Sequence, residues 1–170
     1  IKSKETIEEA KDSDIFSIIL PRIPEGYPNQ IIRRKAYTLS CNSNTKAPNW
    51  VAWCLTSSHT SGHIRRKNYD FQEDTDVPAP RATTNDWDYN STGYQKGHMC
   101  PAGDNKWDAE AMAQTFLLSN ICQQNGNLNE HDWEKLEDRC RQWANKYGDI
   151  YIVCGPLFYS YHYKTLGKNK

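Results

Sequence analysis

His98, set directly behind Gly97, is the residue of this 170-residue chain best suited to moving a proton. A neutral imidazole near its ordinary pKa of about 6.5 accepts a proton from water at working pH. The glycine before it would let backbone or an anion approach closely where a side chain would block the way. Downstream, Asn120 closes the run TFLLSN, Asn129 follows the turn-rich Asn125-Gly126-Asn127-Leu128, and Glu137 lies further along the same segment. On a helix, Asn129 and Glu137 would be separated by about 12 Å at 1.5 Å per residue. Arg65-Arg66-Lys67, with Lys96, could form a local cationic track. Taken singly, each has an ordinary explanation. The histidine is a surface or core residue, the asparagines are caps and turns, the glutamate is a solvated helix residue, and the basic run is plain surface.

The elements that must position these residues follow from periodicity. Ile31 to Cys41 carries Tyr37, Leu39 and Cys41 in alternation with Thr38 and Ser40, which predicts a half-buried strand. Trp50 to Leu55 is apolar on both faces and predicts an interior strand. Ser57 to Arg81 is polar, holds Gly62, Pro78 and Pro80, and reads as a long loop. A helix is expected through Trp107, Ala111 and Leu118, capped by Asp104 or Asn105. Trp133, Leu136, Cys140, Trp143, Ala144 and Tyr147 predict an amphipathic helix stopped at Gly148, and Ile150 to Cys154 a buried strand.

The length suits one domain, and the 37% hydrophobic content leaves the six Trp, ten Tyr and four Phe to supply much of its core. Zero net charge, from 21 basic and 21 acidic residues, speaks against a nucleic-acid coat protein but leaves room for an enzyme with a local cationic track. No segment approaches the twenty or so apolar residues of a membrane span, and the start IKSKETIEEAKDSD has no apolar signal core, so the chain is expected to be soluble or already processed. Its six cysteines form no CxxC pair. Disulfides are the expectation, with Cys41 and Cys54 the best-placed pair, and with them a secreted or periplasmic location.

Together, Lys96-Gly97-His98, TFLLSN at 115–120, Asn129, and the pattern of Trp133, Leu136 and Glu137 resemble the DNA/RNA non-specific endonucleases of the Serratia type, in the ββα-metal group. The resemblance runs from Ala36 to Leu157. It implies an α+β fold, with a central, mostly antiparallel sheet, packed helices and a ββα-metal motif spanning His98 to Glu137. The implied function is metal-dependent, sequence-non-specific endonucleolytic hydrolysis of DNA and RNA. His98 would be the general base. Asn129 would be the protein's ligand to one Mg²⁺, with Mn²⁺ as the alternative. Asn120 would orient that site, and Glu137 would partner the ion's waters or an arginine. Arg66, nearly tied with Arg65, would reach the phosphate, and Lys96 would hold it. The expected division is an arm over 1–30 and an endonuclease domain over 31–170, truncated at its C-terminus because the family continues past the motif matched by Gly155-Pro156-Leu157. A homodimer is left open by the sequence and is not indicated by it.

The family's usual Asp-Arg-Gly-His stands here as Gln95-Lys96-Gly97-His98, exchanging a carboxylate for an amide and a guanidinium for a point charge. The family's proline after the Asn120 segment is Gln123. Competing readings are a catalytically weakened module that keeps the fold and binds nucleic acid or protein, a thiol hydrolase pairing Cys100 or Cys122 with His98, and a zinc site of His98, Cys100 and Cys122.

Overall fold

The computed structural model describes residues 20–87 and 93–158. Most of the expected N-terminal arm, the DYNST stretch at 88–92 and the basic tail lie outside the described residues. Four strands form one antiparallel sheet in the order β1-β2-β3-β6: β1 (Gln30–Arg33), β2 (Thr38–Asn42), β3 (Ala47–Leu55) and β6 (Ile150–Cys154). The fold is α+β, as expected. The segment from Ile31 to Cys41 is two strands rather than one, because the chain reverses between Arg33 and Thr38 and pairs Ile32 with Leu39. β3 begins three residues before Trp50, and both of its faces are covered, with Trp50, Val51, Ala52, Trp53 and Leu55 all buried.

Register decides the fate of the cysteines. Cys41 pairs across from Pro48, whereas Cys54 lies further along β3, beyond Ala52, and faces Tyr151 of β6. Cys41 belongs to the main core with Leu39, Val51 and Trp53. Side chains alternate faces along a strand, so Cys54 turns to the opposite side from Trp53. The expected Cys41–Cys54 bridge is therefore ruled out by geometry, and all six cysteines are thiols.

The long polar segment contains a short helix α1 (Ser57–Thr60) and a 3₁₀ turn at Arg66–Asn68, and is strapped down rather than loose. Gln72 forms a parallel bridge to Leu117, and buried Asp74 accepts from Arg34 at 2.5 Å and from Ser119. Helix α2 (Ala109–Thr115) is shorter than expected and is capped by Asp108, whose carboxylate accepts from Ala111 N at 2.9 Å. Asp104 is instead pulled inward, accepting from the Trp53 indole at 3.0 Å and from Arg141 at 2.8 Å.

A second, two-stranded sheet pairs β4 (Tyr94–His98) with β5 (Ile121–Asn125), setting His98 opposite Ile121. The chain turns at Asn125, whose side chain accepts from Asn127 N, and enters a π-helical turn (Leu128–Trp133) continuous with α3 (Glu134–Tyr147). This is the strand-strand-helix arrangement expected. Trp133, Cys140 and Ala144 pack on the core, but Leu136, Trp143 and Tyr147 are 49%, 43% and 68% exposed, so the apolar stripe that faces inward is narrower than the sequence suggests. Between its inward residues lie Glu137 and Arg141, which face Asp104 rather than oil. Gly148 ends the helix at φ +92°, a conformation that favours glycine.

A sample unfolded in guanidinium without reductant is expected to titrate six thiols with Ellman's reagent. Any count that rises by two on adding reductant would restore a disulfide.

Candidate active site

Strand β4, the turn at 101–103, the start of the long helix and the 3₁₀ turn at Arg66 enclose a polar cleft of about 310 Å³. Arg66, Gln95, Lys96, His98, Asn129 and Glu137 all line it. The structure thus brings together, from three stretches of chain, every sequence-proposed site residue except Asn120 and Arg65.

His98 ends β4 and is 7% exposed. Its ring packs against Phe71 (centroids 5.4 Å apart) and edge-on to Phe116 (5.0 Å). The Nε2 atom is buried without a hydrogen-bond partner. Burial, helped by the Arg66 charge, pushes the imidazole down to about 3. The ring is therefore neutral and able to accept a proton, and an anion brought beside it would raise its basicity by favouring the charged form. Gly97 serves a different purpose from the one expected. A Cβ there would fall 2.2 Å from Gln124 Cδ, so the glycine makes room for a protein side chain rather than for phosphate.

Asn120 stands behind the cleft, fully buried. Its Nδ2 donates to the carbonyls of Cys100 and Thr115, and its Oδ1 accepts from Cys100 N, each at 2.9 Å. Its backbone oxygen accepts from Met99 N at 2.9 Å. It holds the chain that follows His98, with its side-chain donors and acceptor all turned to the backbone rather than to the cleft.

Asn129 lies in the π-helical turn, a rare geometry that recurs at functional sites. Its Nδ2 donates to Gln95 Oε1 at 2.7 Å, which leaves Oδ1 as the amide atom outside that hydrogen bond. Gln95 Nε2 in turn donates to Glu130. Glu137 accepts from Arg141 Nη2 at 3.0 Å, and Arg141 is also held by Asp104 and Asp138. Glu137 is thus an arginine's partner, one of the two roles the sequence allowed. Burial outweighs the nearby Arg141 and pushes the Glu137 carboxyl up to about 7. Lys96 sits with its ammonium 5.4 Å from the Phe71 ring centroid, a cation–π contact at the rim. Arg66 lines the cleft and Arg65 does not, which favours Arg66 of the tied pair.

Among the described residues, no three His, Cys, Asp or Glu side chains are placed to hold a metal ion. The zinc reading falls with this. The thiol reading falls too, because burial raises both the Cys100 and the Cys122 thiols, the latter to about 12. What the cleft offers a cation is oxygen: the Asn129 amide with Glu130, Glu134 and Glu137 nearby. That donor set fits a hard ion that keeps most of its waters. Sequence reasoning missed Glu130, Glu134 and Arg141. The spacing 130, 134, 137, 141 is a single helical face and was legible as such.

The family model described as DNA/RNA non-specific endonuclease matches residues 19–170. The chain is 41% identical over 135 residues to "Nuclease EXOG, mitochondrial" of Danio rerio, covering 78% of this chain and 39% of that protein. It is 34% identical over 149 residues to human "Endonuclease G, mitochondrial", covering 82% of this chain and 50% of that one. Among solved structures, the EndoG/EndoGI complex superposes with a TM-score of 0.77 at 26% identity, over 88% of this chain and 60% of that one. The chain thus spans half or less of the length of these two curated relatives. These relatives overturn the expectation of a secreted or periplasmic location: they are mitochondrial by name, and the disulfides that suggested export are absent.

Two predictions follow from the geometry. Asn120→Ala strands the Cys100 amide and two carbonyls in the interior, so urea unfolding is expected to show a loss of at least about 3 kcal/mol. His98 and Glu137 impose opposite pH dependence between about pH 4.5 and 6.5. A depressed histidine takes up protons mainly when unfolded, so its contribution to stability falls as pH falls through that window. A raised carboxyl takes up protons mainly when folded, so its contribution falls as pH rises. Stability of His98→Asn should therefore decrease with rising pH and that of Glu137→Gln increase, each with a slope on the order of 1 kcal/mol per pH unit. Equal slopes in the two variants would refute the assignment.

Proposed function

Because the chain belongs to the DNA/RNA non-specific endonuclease family, we propose that it is a divalent-cation-dependent nuclease hydrolysing phosphodiester bonds within DNA and RNA. The observation that carries this reading is the unpartnered Nε2 of His98 in the wall of a cleft that also holds Arg66, Lys96 and the Asn129 amide. Asn129 Oδ1 would hold the cation, with Glu137 beside it, and the oxygen-only donor set favours Mg²⁺, with Mn²⁺ as a substitute. When bound, the cation supplies Lewis-acid neutralisation of charge gathering on the phosphate. His98 takes the proton of the attacking water at Nε2. Phe71 and Phe116 keep the ring dry and fix its plane. Arg66 and Lys96 clamp phosphate oxygens, Arg66 by its fork of donors and Lys96 as a point charge. Arg141 keeps Glu137 aimed along the helix face.

Such contacts read phosphate and leave base edges alone, which supports action without sequence preference. A mitochondrial setting is the companion inference from the names of the relatives, and six reduced thiols suit it. Residues 31–170 are assigned to the nuclease domain.

The test is digestion of plasmid DNA and of RNA with Mg²⁺, Mn²⁺ or EDTA, beside His98→Ala. Cleavage of both substrates with either metal is expected, none in EDTA, and at least about a hundredfold loss in the variant. A folded wild-type chain that leaves both polymers intact while still retarding them on a gel would select the binding-module reading instead.

A further inference from the structure

The carboxylate of Glu130 stands at the end of a short chain of hydrogen bonds that terminates on the proposed metal ligand. Gln95 Nε2 donates to Glu130 Oε1, and Asn129 Nδ2 donates to Gln95 Oε1 at 2.7 Å. Two of the three side chains are amides, and an amide can present either its oxygen or its NH₂. A carboxylate has no such choice, because when ionised it only accepts. Glu130 therefore compels Gln95 to present its NH₂ outward, which turns Gln95 Oε1 toward Asn129. Gln95 Oε1 in turn claims the NH₂ of Asn129. The one atom of Asn129 left over is Oδ1, the atom a hard cation requires.

Resting on the nuclease reading above, we propose that Glu130 is a positioning residue for the metal site, setting the amide of Asn129 through Gln95. The polarity of both amides follows from the single acceptor-only group in the chain. Without Glu130, Gln95 could rotate its NH₂ toward Asn129, and Asn129 would then spend Oδ1 on accepting that hydrogen bond. The geometry supports the transfer of this constraint. Gln95 lies on β4 opposite Gln124, and the tight turn at Asn125-Gly126-Asn127 brings the following helix back across it, with Gly126 N donating to Gly93 O at 2.9 Å. Position 95 is thus within reach of consecutive helix residues, one of which supplies the ligand and the other the anchor.

The experiment is Mn²⁺ binding to the whole chain, followed by the loss of the free-ion EPR signal, with Mg²⁺ as competitor and thermal melting as the check on folding. Three variants separate orientation from charge. Glu130→Gln removes the acceptor-only group. Gln95→Met keeps every charge but breaks the relay. The pair Gln95→Glu with Glu130→Gln rebuilds it with the carboxylate moved inward, accepting from Asn129 directly. Groups that orient a metal ligand typically matter by 10- to 100-fold, so each single variant is expected to weaken Mn²⁺ binding by about tenfold, with the double variant returning to within about twofold of wild type. Wild-type binding retained in Gln95→Met would overturn the relay while leaving the metal site standing. A loss in Glu130→Gln that the double variant fails to restore would also overturn it. If the wild-type chain itself binds no Mn²⁺, the metal reading of the cleft fails, and the relay has nothing to position.

Discussion

The site depends on one fully buried side-chain amide. Asn120 satisfies both backbone groups of Cys100 and the last carbonyl of α2, while its own backbone oxygen takes the Met99 amide. Three pieces of chain meet there: the exit of β4, the end of α2 and the entry to β5. Asparagine suits the position because it offers two donors and an acceptor in one plane. Buried backbone groups must be paired, and neither a sheet ladder nor a helix reaches these. The register of His98 against Ile121, and hence the direction in which the imidazole enters the cleft, is tied to this clamp.

Around that frame the cleft keeps two titratable groups away from their ordinary behaviour by the same means and in opposite senses. Dehydration disfavours the charged form of each, so the base is held neutral and the acid is held partly protonated near neutral pH. Charged ligands would reverse both effects. A phosphate beside His98 favours the imidazolium, and a divalent cation beside Glu137 favours the carboxylate. Binding of a phosphate and an ion there would therefore also relieve a cost of burial, a coupling expected wherever burial poises a site.

Much of this was legible in the sequence, and the failures have physical causes. The period-two and helical patterns located β3, β6 and α3, and the ordered set His98, Asn129 and Glu137 falls on one cleft. The family model matches a span, residues 19–170, that includes them. The cysteine pairing failed because evenness and nearness in sequence say nothing about register, and a bulge between Ser40 and Cys41 helps set Cys41 against Pro48. Gly97 was misread because its neighbour is Gln124, distant in sequence. The inward face of α3 was drawn too wide, since Trp143 and Leu136 satisfy a helical count as well as Cys140 and Ala144 do. Only the position of Asp104, drawn inward by Trp53 and Arg141, shows which row faces in.

The exchange of Asp-Arg for Gln95-Lys96 bears differently on the two positions. Lys96 keeps its charge and rests over Phe71, so what it gives up is the two-pronged grip of a guanidinium, a loss in geometry more than in attraction. Arg66, lining the same cleft, retains that fork. Gln95 gives up a charge, yet the cleft is not short of carboxylate, since Glu130, Glu134 and Glu137 line it from one helix face. What an aspartate at 95 would have supplied beyond charge is an acceptor with no alternative polarity. A glutamine can do the same only if something else fixes its orientation, and Glu130 is the group in contact with its NH₂. The substitution at 95 is therefore better understood together with residue 130 than as a defect in the motif, because the constraint that matters to Asn129 belongs to the hydrogen-bonded chain and not to any one of its members.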